Sequence, residues 1–558
     1  MKPRISLRWS LGISALTALA MVSGSSLGVF AAQKPASVRS GGTITFINAP
    51  NTPFVANFNP WSPNNTTTAM TQIFEPLLYF NAYTGKIEPK LAVSYHYLSG
   101  HKGIVFNLRH GVKWSNGRAF TAKDVAFTLD MLIKNPAIDL NDLSSMIRSV
   151  TANSTYQVTV TLKTPNVTDL YYIAGATPIV PASQWQAVKN PATFTDSSPV
   201  TTGPFKVGSV NRNQLVLVKN HYYWDAPLPY VNKIVYPTYL SNNTAALAMD
   251  KGQFTLAMQF IPDIRQVLLS KNPSIYHYWF PPVGENILYL NDAKYPFSLL
   301  PFRQALNHAL NRTKLSKIGE YGYETPSNAT GLPPTPLNRQ YINSSIVKRY
   351  APVYSPKKAR AILQQAGFHW KGGRLIDPKG QAVSMTIYAT NGATDWVSDA
   401  SIMANEFRAI GINARVATPS YSTLAADLAS GSYQAAVMRS FIGGPGPYYE
   451  YYPLLDSAFT APVGKTAISN YERWSNPTTN RLLAEYVKTF SQVKRQQILN
   501  QLETIMAKDL PVIPFLDFPA WEQYNTSKFG GFPTAKNPYA ELTRGFDSEY
   551  VLAQIHQK

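Results

Sequence analysis

Apolar positions in this chain switch repeatedly between the two-residue period of strands and the 3.6-residue period of helices. Residues 42–48 and 157–163 alternate as strands do, and Phe106 and Leu108 share one face of a strand entering a turn at Gly111. A second short strand through Trp114 leads to a turn at Asn116-Gly117. Thr121 then stands three residues ahead of Asp124, the spacing of a capping box opening a helix. Phe302, Ala305, Leu306, Ala309 and Leu310 lie at helical spacing within 301–315. Ser355, Pro356 and Gly367 mark the N-cap, first turn and stop of another helix. Residues 371–389 read as a hairpin turning at 377–380, and 435–438 as an apolar strand. The class is mixed α/β, without internal repeats or low-complexity blocks.

The first 32 residues break this pattern. Lys2, Arg4 and Arg8 precede an apolar run over 11–22, and Val29-Phe30-Ala31 offers a small-residue cleavage pattern, so 1–32 reads as a signal peptide. An uncleaved N-terminal anchor is the competing reading. The chain contains no cysteine, which excludes disulfides, zinc–thiolate sites, thiol catalysis and a lipobox anchor. Its formal charge of +20 becomes +17 without the three leader cations, 48 basic against 31 acidic residues. These charges are scattered, no nucleic-acid motif accompanies them, and nucleic acid is not an expected partner. An acidic habitat accounts for scarce carboxylates, because groups that would titrate and unpair are avoided.

The segments EPLLYF (75–80), TGKIEPKLA (84–92), FNLRHGVKWSNG (106–117) and FTAKDVAFTL (120–129) together resemble the signature of family-5 extracytoplasmic solute-binding proteins. These are the oligopeptide, dipeptide, nickel and cello-oligosaccharide receptors of ABC importers. Residues 199–207, 286–291, 301–315, 355–368 and 470–483 resemble further family segments in the expected order. The resemblance implies a periplasmic-binding-protein fold: two lobes, a hinge, a central ligand cleft and an extra α+β subdomain. The first lobe would combine 41–77, 198–284 and 516–558, the extra subdomain 78–197, and the second lobe 285–515. It also implies an exported, monomeric receptor that hands a small oligomeric ligand to importer permease subunits. The ligand is expected to be an oligopeptide, with an oligosaccharide as the alternative.

The segment RSFIGGPGPYYEYY (439–452) resembles the cleft loop where peptide-binding relatives place an aromatic and then an aspartate for the peptide amine. Here Phe441 and Gly443 stand near that place and no acid is present; Glu450 lies too far along to be its substitute. Phe441, Tyr448 and Tyr449 offer stacking faces for sugar rings or apolar side chains. A tyrosine-rich hairpin packed between lobes is the alternative. Arg439 suits a ligand carboxylate or an interlobe ion pair. Asn57 and Trp61, in NFNPW after the first strand, face the cleft or plug the lobe, whereas Trp114 is expected in the core. The eight histidines show no metal-ligand spacing, so neither metal nor cofactor is expected. No nucleophile elbow or phosphate loop is present, and an enzyme is disfavoured. A surface peptide holdase or adhesin is the alternative from another class.

Overall fold

The computed structural model describes residues 38–48, 53–440, 444–543 and 545–558, which from Arg39 onward belong to one compact unit. The leader reading for 1–32 lies outside the described residues. Among those described, no helix is long and apolar enough to cross a membrane.

Three sheets organise the unit. Seven strands run in the order Tyr276–Trp279, Glu522–Asn525, Leu256–Met258, Thr43–Asn48, Lys233–Pro237, Gln214–Lys219, Phe205–Asn211. Thr43–Asn48 pairs in parallel with both neighbours. Parallel strands are buried on both faces, and Ile44, Phe46 and Ile47 are accordingly all in the core. Five strands form the second sheet, in the order Asn413–Ala417, Ser384–Tyr388, Ala435–Arg439, Pro282–Leu290, Ile513–Pro519. A four-stranded antiparallel sheet (Ala92–Tyr97, Gly103–Leu108, Gln157–Leu162, Ile147–Ser154) packs on the helix Ala122–Lys134.

The chain passes between the two larger sheets twice, side by side. Trp279 ends a strand of the first and Pro282 begins one of the second; Pro519 and Glu522 make the reverse passage. Ala520 donates its N–H to the Pro281 carbonyl at 2.9 Å, binding the two passages together. The two-lobed architecture rests on this double connection, the geometry of a hinge. It is also acidic. Glu285 accepts from Ser327, Asp517 from Thr325 at 2.5 Å, and Glu324 from Asn286 at 2.7 Å. Burial and then the neighbouring Asp517 push the Glu285 carboxyl well up, and burial raises Asp517 to about 7.

The sequence signature is largely structural. Thr121 and Asp124 form the expected capping box, and Trp114 is buried within the core cluster of the first part of the chain. Glu75 and Lys90, from two separate signature segments, meet in the interior: Lys90 Nζ lies 2.7 Å from Glu549 and 3.8 Å from Glu75. Trp224 Nε1 donates to Glu75 at 3.0 Å. One ammonium thus serves two buried carboxylates, an arrangement that depends on every member.

One local expectation needs correction and another gains a second turn. The 301–315 pattern is not one helix: Leu300–Ala309 ends at Leu310, and Arg312–Lys314 restarts under an Asn311 side-chain cap on the Lys314 N–H at 3.0 Å. Arg312 donates to the Pro514 carbonyl at 2.7 Å, which tertiary contact holds the restart in place. In 371–389 the expected turn at 377–380 forms, with Ile376 bridged antiparallel to Ala382 and the Asp377 N–H donating to the Gln381 carbonyl at 2.9 Å. A second turn precedes it at Gly372-Gly373, both with positive φ, joining His369–Lys371 to Arg374–Ile376. Asp377 still makes a turn, its Oδ1 accepting from Lys379 and Gln381. Ser384–Tyr388 then leaves to pair in parallel with Asn413–Ala417.

Candidate functional site

The strand Ala435–Arg439 carries the loop of interest out of the second sheet. Ser440 is fixed by two bonds to Glu285, one donated by its N–H at 2.7 Å and one accepted by its Oγ at 3.2 Å. Arg439 opposes Asn286 in register, is exposed, and holds its guanidinium 5.6 Å from the Phe518 ring centre. Phe441 and Gly443 lie outside the described residues.

Past them the segment is helical rather than a hairpin. Gly446, at φ 123°, turns the chain into the helix Pro447–Leu455, with Pro447 in the first turn where its missing N–H costs nothing. Tyr448 and Tyr449 therefore point to different neighbours. Tyr448 stacks between Tyr452 (5.3 Å, 4°) and Tyr486 (4.9 Å, 9°). Tyr449 meets Tyr171 at 4.9 Å and Tyr172 at 5.8 Å, both edge-on. Burial pushes the Tyr448 and Tyr449 phenols up, so both stay neutral over the physiological range. Gly444 has to be glycine, since a Cβ there would come within 2.7 Å of Tyr449 and 2.8 Å of Tyr171.

Beside this wall lies a cavity of about 230 Å³. Pro60, Met70, Phe80, Tyr171, Gly444 and Phe546 are among the residues that line it. Gly175 also lines it, and a Cβ there would meet the Phe80 ring at 2.4 Å. Asn57 and Trp61 flank Pro60, Asn57 engaged within its own loop and Trp61 in the core. Asn57 Nδ2 donates to Ser62 Oγ at 2.9 Å and its Oδ1 accepts from Asn59. Trp61 is buried edge-on against Trp185 at 5.3 Å.

The structure thus gathers Tyr448 and Tyr449 into one aromatic cluster with Tyr171 and Tyr172, and of these Tyr171 lines the cavity together with Gly444. It leaves Arg439 at the strand end and gives Asn57 and Trp61 supporting positions in a different loop. Tyr171, Tyr172, Phe80 and Phe546 were not singled out from sequence. The Tyr171-Tyr172 doublet was the only local signal, and it gains meaning only beside Tyr449. Among the described residues no cluster of three or more histidines and carboxylates is placed to hold a metal.

Two lobes joined by a double hinge strand, with an aromatic-walled cavity between distant segments, define a solute-binding protein. Residues 86–461 match the sequence pattern of bacterial extracellular solute-binding proteins, family 5, and the chain belongs to that family. The glutathione-binding protein GsiB of Shigella flexneri is 26% identical over 471 residues, covering 83% of this chain and 87% of the relative. A periplasmic oligopeptide-binding protein of Thermotoga maritima superposes with a TM-score of 0.86 at 27% identity, over 92% of this chain and 99% of its own. Its mannohexaose-bound crystal structure gives 0.83 at 26% identity, over 92% and 98%. This is a binding protein of the ABC-importer class and not an enzyme.

Proposed function

We propose that the protein captures oligopeptides outside the cytoplasm and delivers them, as a monomer, to the membrane permease of an ABC importer. The observation that carries this reading is the tyrosine wall of Tyr171, Tyr172, Tyr448 and Tyr449. Neutral, buried-edge rings suit apolar side chains of varied shape, while phenol hydroxyls and backbone groups hold the peptide chain. Likeness to a glutathione-binding and an oligopeptide-binding protein supports the same class. Phe441, Gly443, Tyr448 and Tyr449 are the proposed contacts, with Arg439 for a terminal carboxylate and Asn57 and Trp61 holding Pro60 at the cavity. The proposed moving bodies are 41–77 with 198–284 and 516–558, against 285–515, with 78–197 as the extra subdomain.

An oligosaccharide is the second reading, favoured by the mannohexaose-bound relative, since the same rings would stack on sugars. Calorimetric titration with tri- to hexapeptides and with mannohexaose, on the parent and on Phe441→Ala/Tyr448→Ala, separates the two. Peptide binding in the parent, lost in the double variant, is expected. Mannohexaose binding without peptide binding would reverse the assignment, and unchanged affinity in the variant would make the loop structural.

A further inference from the structure

A second, larger cavity of about 480 Å³ lies at the same tyrosines, lined by Tyr172, Tyr448 and Tyr452. Its remaining walls come from two distant parts of the chain, 140–146 with 164–169, and 456–459 with 487–488. The Val167 N–H donates to the Val487 carbonyl at 2.8 Å, so these walls are joined by backbone rather than merely adjacent.

Asp169 lines this cavity with no exposed surface. Its Oδ2 accepts the Asn166 N–H at 3.1 Å, whereas Oδ1 is buried without a hydrogen-bond partner. No ion pair reaches it among the described residues. A buried carboxylate with half its acceptors unused is costly unless something arrives to use them. Burial accordingly raises its carboxyl to about 7. Asp142 and Asp456 line the same cavity against a single cation, Lys488, in a chain where bases outnumber acids 51 to 31. The local charge is therefore opposite to that of the whole protein. Tyr448 and Tyr452, stacked on one another, border the same cavity.

We propose that this cavity is a subsite for a primary ammonium group of the ligand, held by Asp169 and bordered by Tyr448 and Tyr452. The assignment rests on the peptide reading and adds a residue to it. The loop from Arg439 to Tyr449 contains no carboxylate, and Asp169 supplies one from a different part of the fold. The ammonium is either the peptide's α-amine or a lysine side chain, and the chemistry of recognition is the same.

The test is calorimetric titration of the full chain at pH 8 with trialanine, N-acetyl-trialanine, trilysine and mannohexaose. Asp169→Asn is expected to weaken the amine-bearing peptides at least tenfold and leave mannohexaose unchanged, with partial rescue by Asp169→Glu. Loss for trialanine but not its acetylated form assigns the α-amine; loss for trilysine alone assigns the side chain. Removing an unsatisfied buried charge should also leave the melting temperature of Asp169→Asn at or above that of the parent. Should that variant misfold, Asn141→Lys tethers an ammonium at the cavity mouth and is expected to weaken the same peptides tenfold. Equal affinity of parent and Asp169→Asn for every probe, or of parent and Asn141→Lys, overturns the subsite. Absence of any peptide binding in the parent instead overturns the peptide reading itself.

Discussion

Glu503 gives the cleanest measure of what the buried carboxyls do to stability. It lies on the helix Gln492–Asp509 with no exposed surface; Oε2 accepts the Asn343 N–H at 3.0 Å and Oε1 is buried without a partner. Burial raises its carboxyl from an ordinary 4.5 to about 7. Because the folded pKa is the higher one, the folded chain binds the proton more tightly. Its stability is therefore full below pH 4.5 and declines as pH rises toward 7. At roughly 1.4 kcal/mol per pH unit, ionised Glu503 costs the fold about 3 kcal/mol at pH 8. Glu503→Gln keeps the acceptor for Asn343 and removes the titration. It should be close to neutral at pH 3.5 and stabilising by about 3 kcal/mol at pH 8. Urea unfolding followed by tryptophan fluorescence at both pH values reads this difference. Lobes need not unfold together, so the comparison is between two proteins under one condition rather than an absolute free energy. Equal destabilisation by Gln at both pH values would refute the reasoning, because a lost packing contact and not a titration would then explain it.

Lys90→Met leaves Glu549 and Glu75 buried without their cation, and should cost about 3–5 kcal/mol at pH 8 in the same unfolding assay; a neutral result would show the pair to be dispensable. Trp61→Ala empties a core position against Trp185 and should destabilise by about 3–5 kcal/mol. Loss of ligand affinity with an unchanged melt would instead make Trp61 a contact residue. The acid trio at the hinge, Glu285, Glu324 and Asp517, should make the parent melt at a higher temperature at pH 4.5 than at pH 8, since all three have raised carboxyls. Higher stability at pH 8 would contradict that sign and the acid-habitat reading with it.

What the sequence shows is what short stretches decide. Thr121 caps Asp124's helix and Ser355 caps Pro356–Gln365 because each motif closes within a few residues. Where partners come from afar, local reading loses its grip. The turn at Asp377 is real, yet Ser384–Tyr388 answers to Asn413–Ala417 and not to the strand before it. The segment after Gly446 is rich in proline and tyrosine and follows Gly444-Pro445-Gly446, a composition that suits a turn. It becomes a helix because its tyrosines pack on Tyr171, Tyr172 and Tyr486. The partner of Lys90 is 459 residues away, and nothing near Asp169 in sequence reveals the cavity it lines. The family was legible from ordered segments; the tyrosine wall needed three dimensions.

Binding itself is the most direct test of the central claim, and thermal unfolding against defined ligands measures it in one experiment. Tri- to hexapeptide pools and mannohexaose are each added to the purified protein at rising concentration. A peptide at a hundredfold excess over its Kd should stabilise the folded state by about 2.7 kcal/mol and shift the transition upward. That shift is expected for peptides. A shift with mannohexaose and none with any peptide would contradict it.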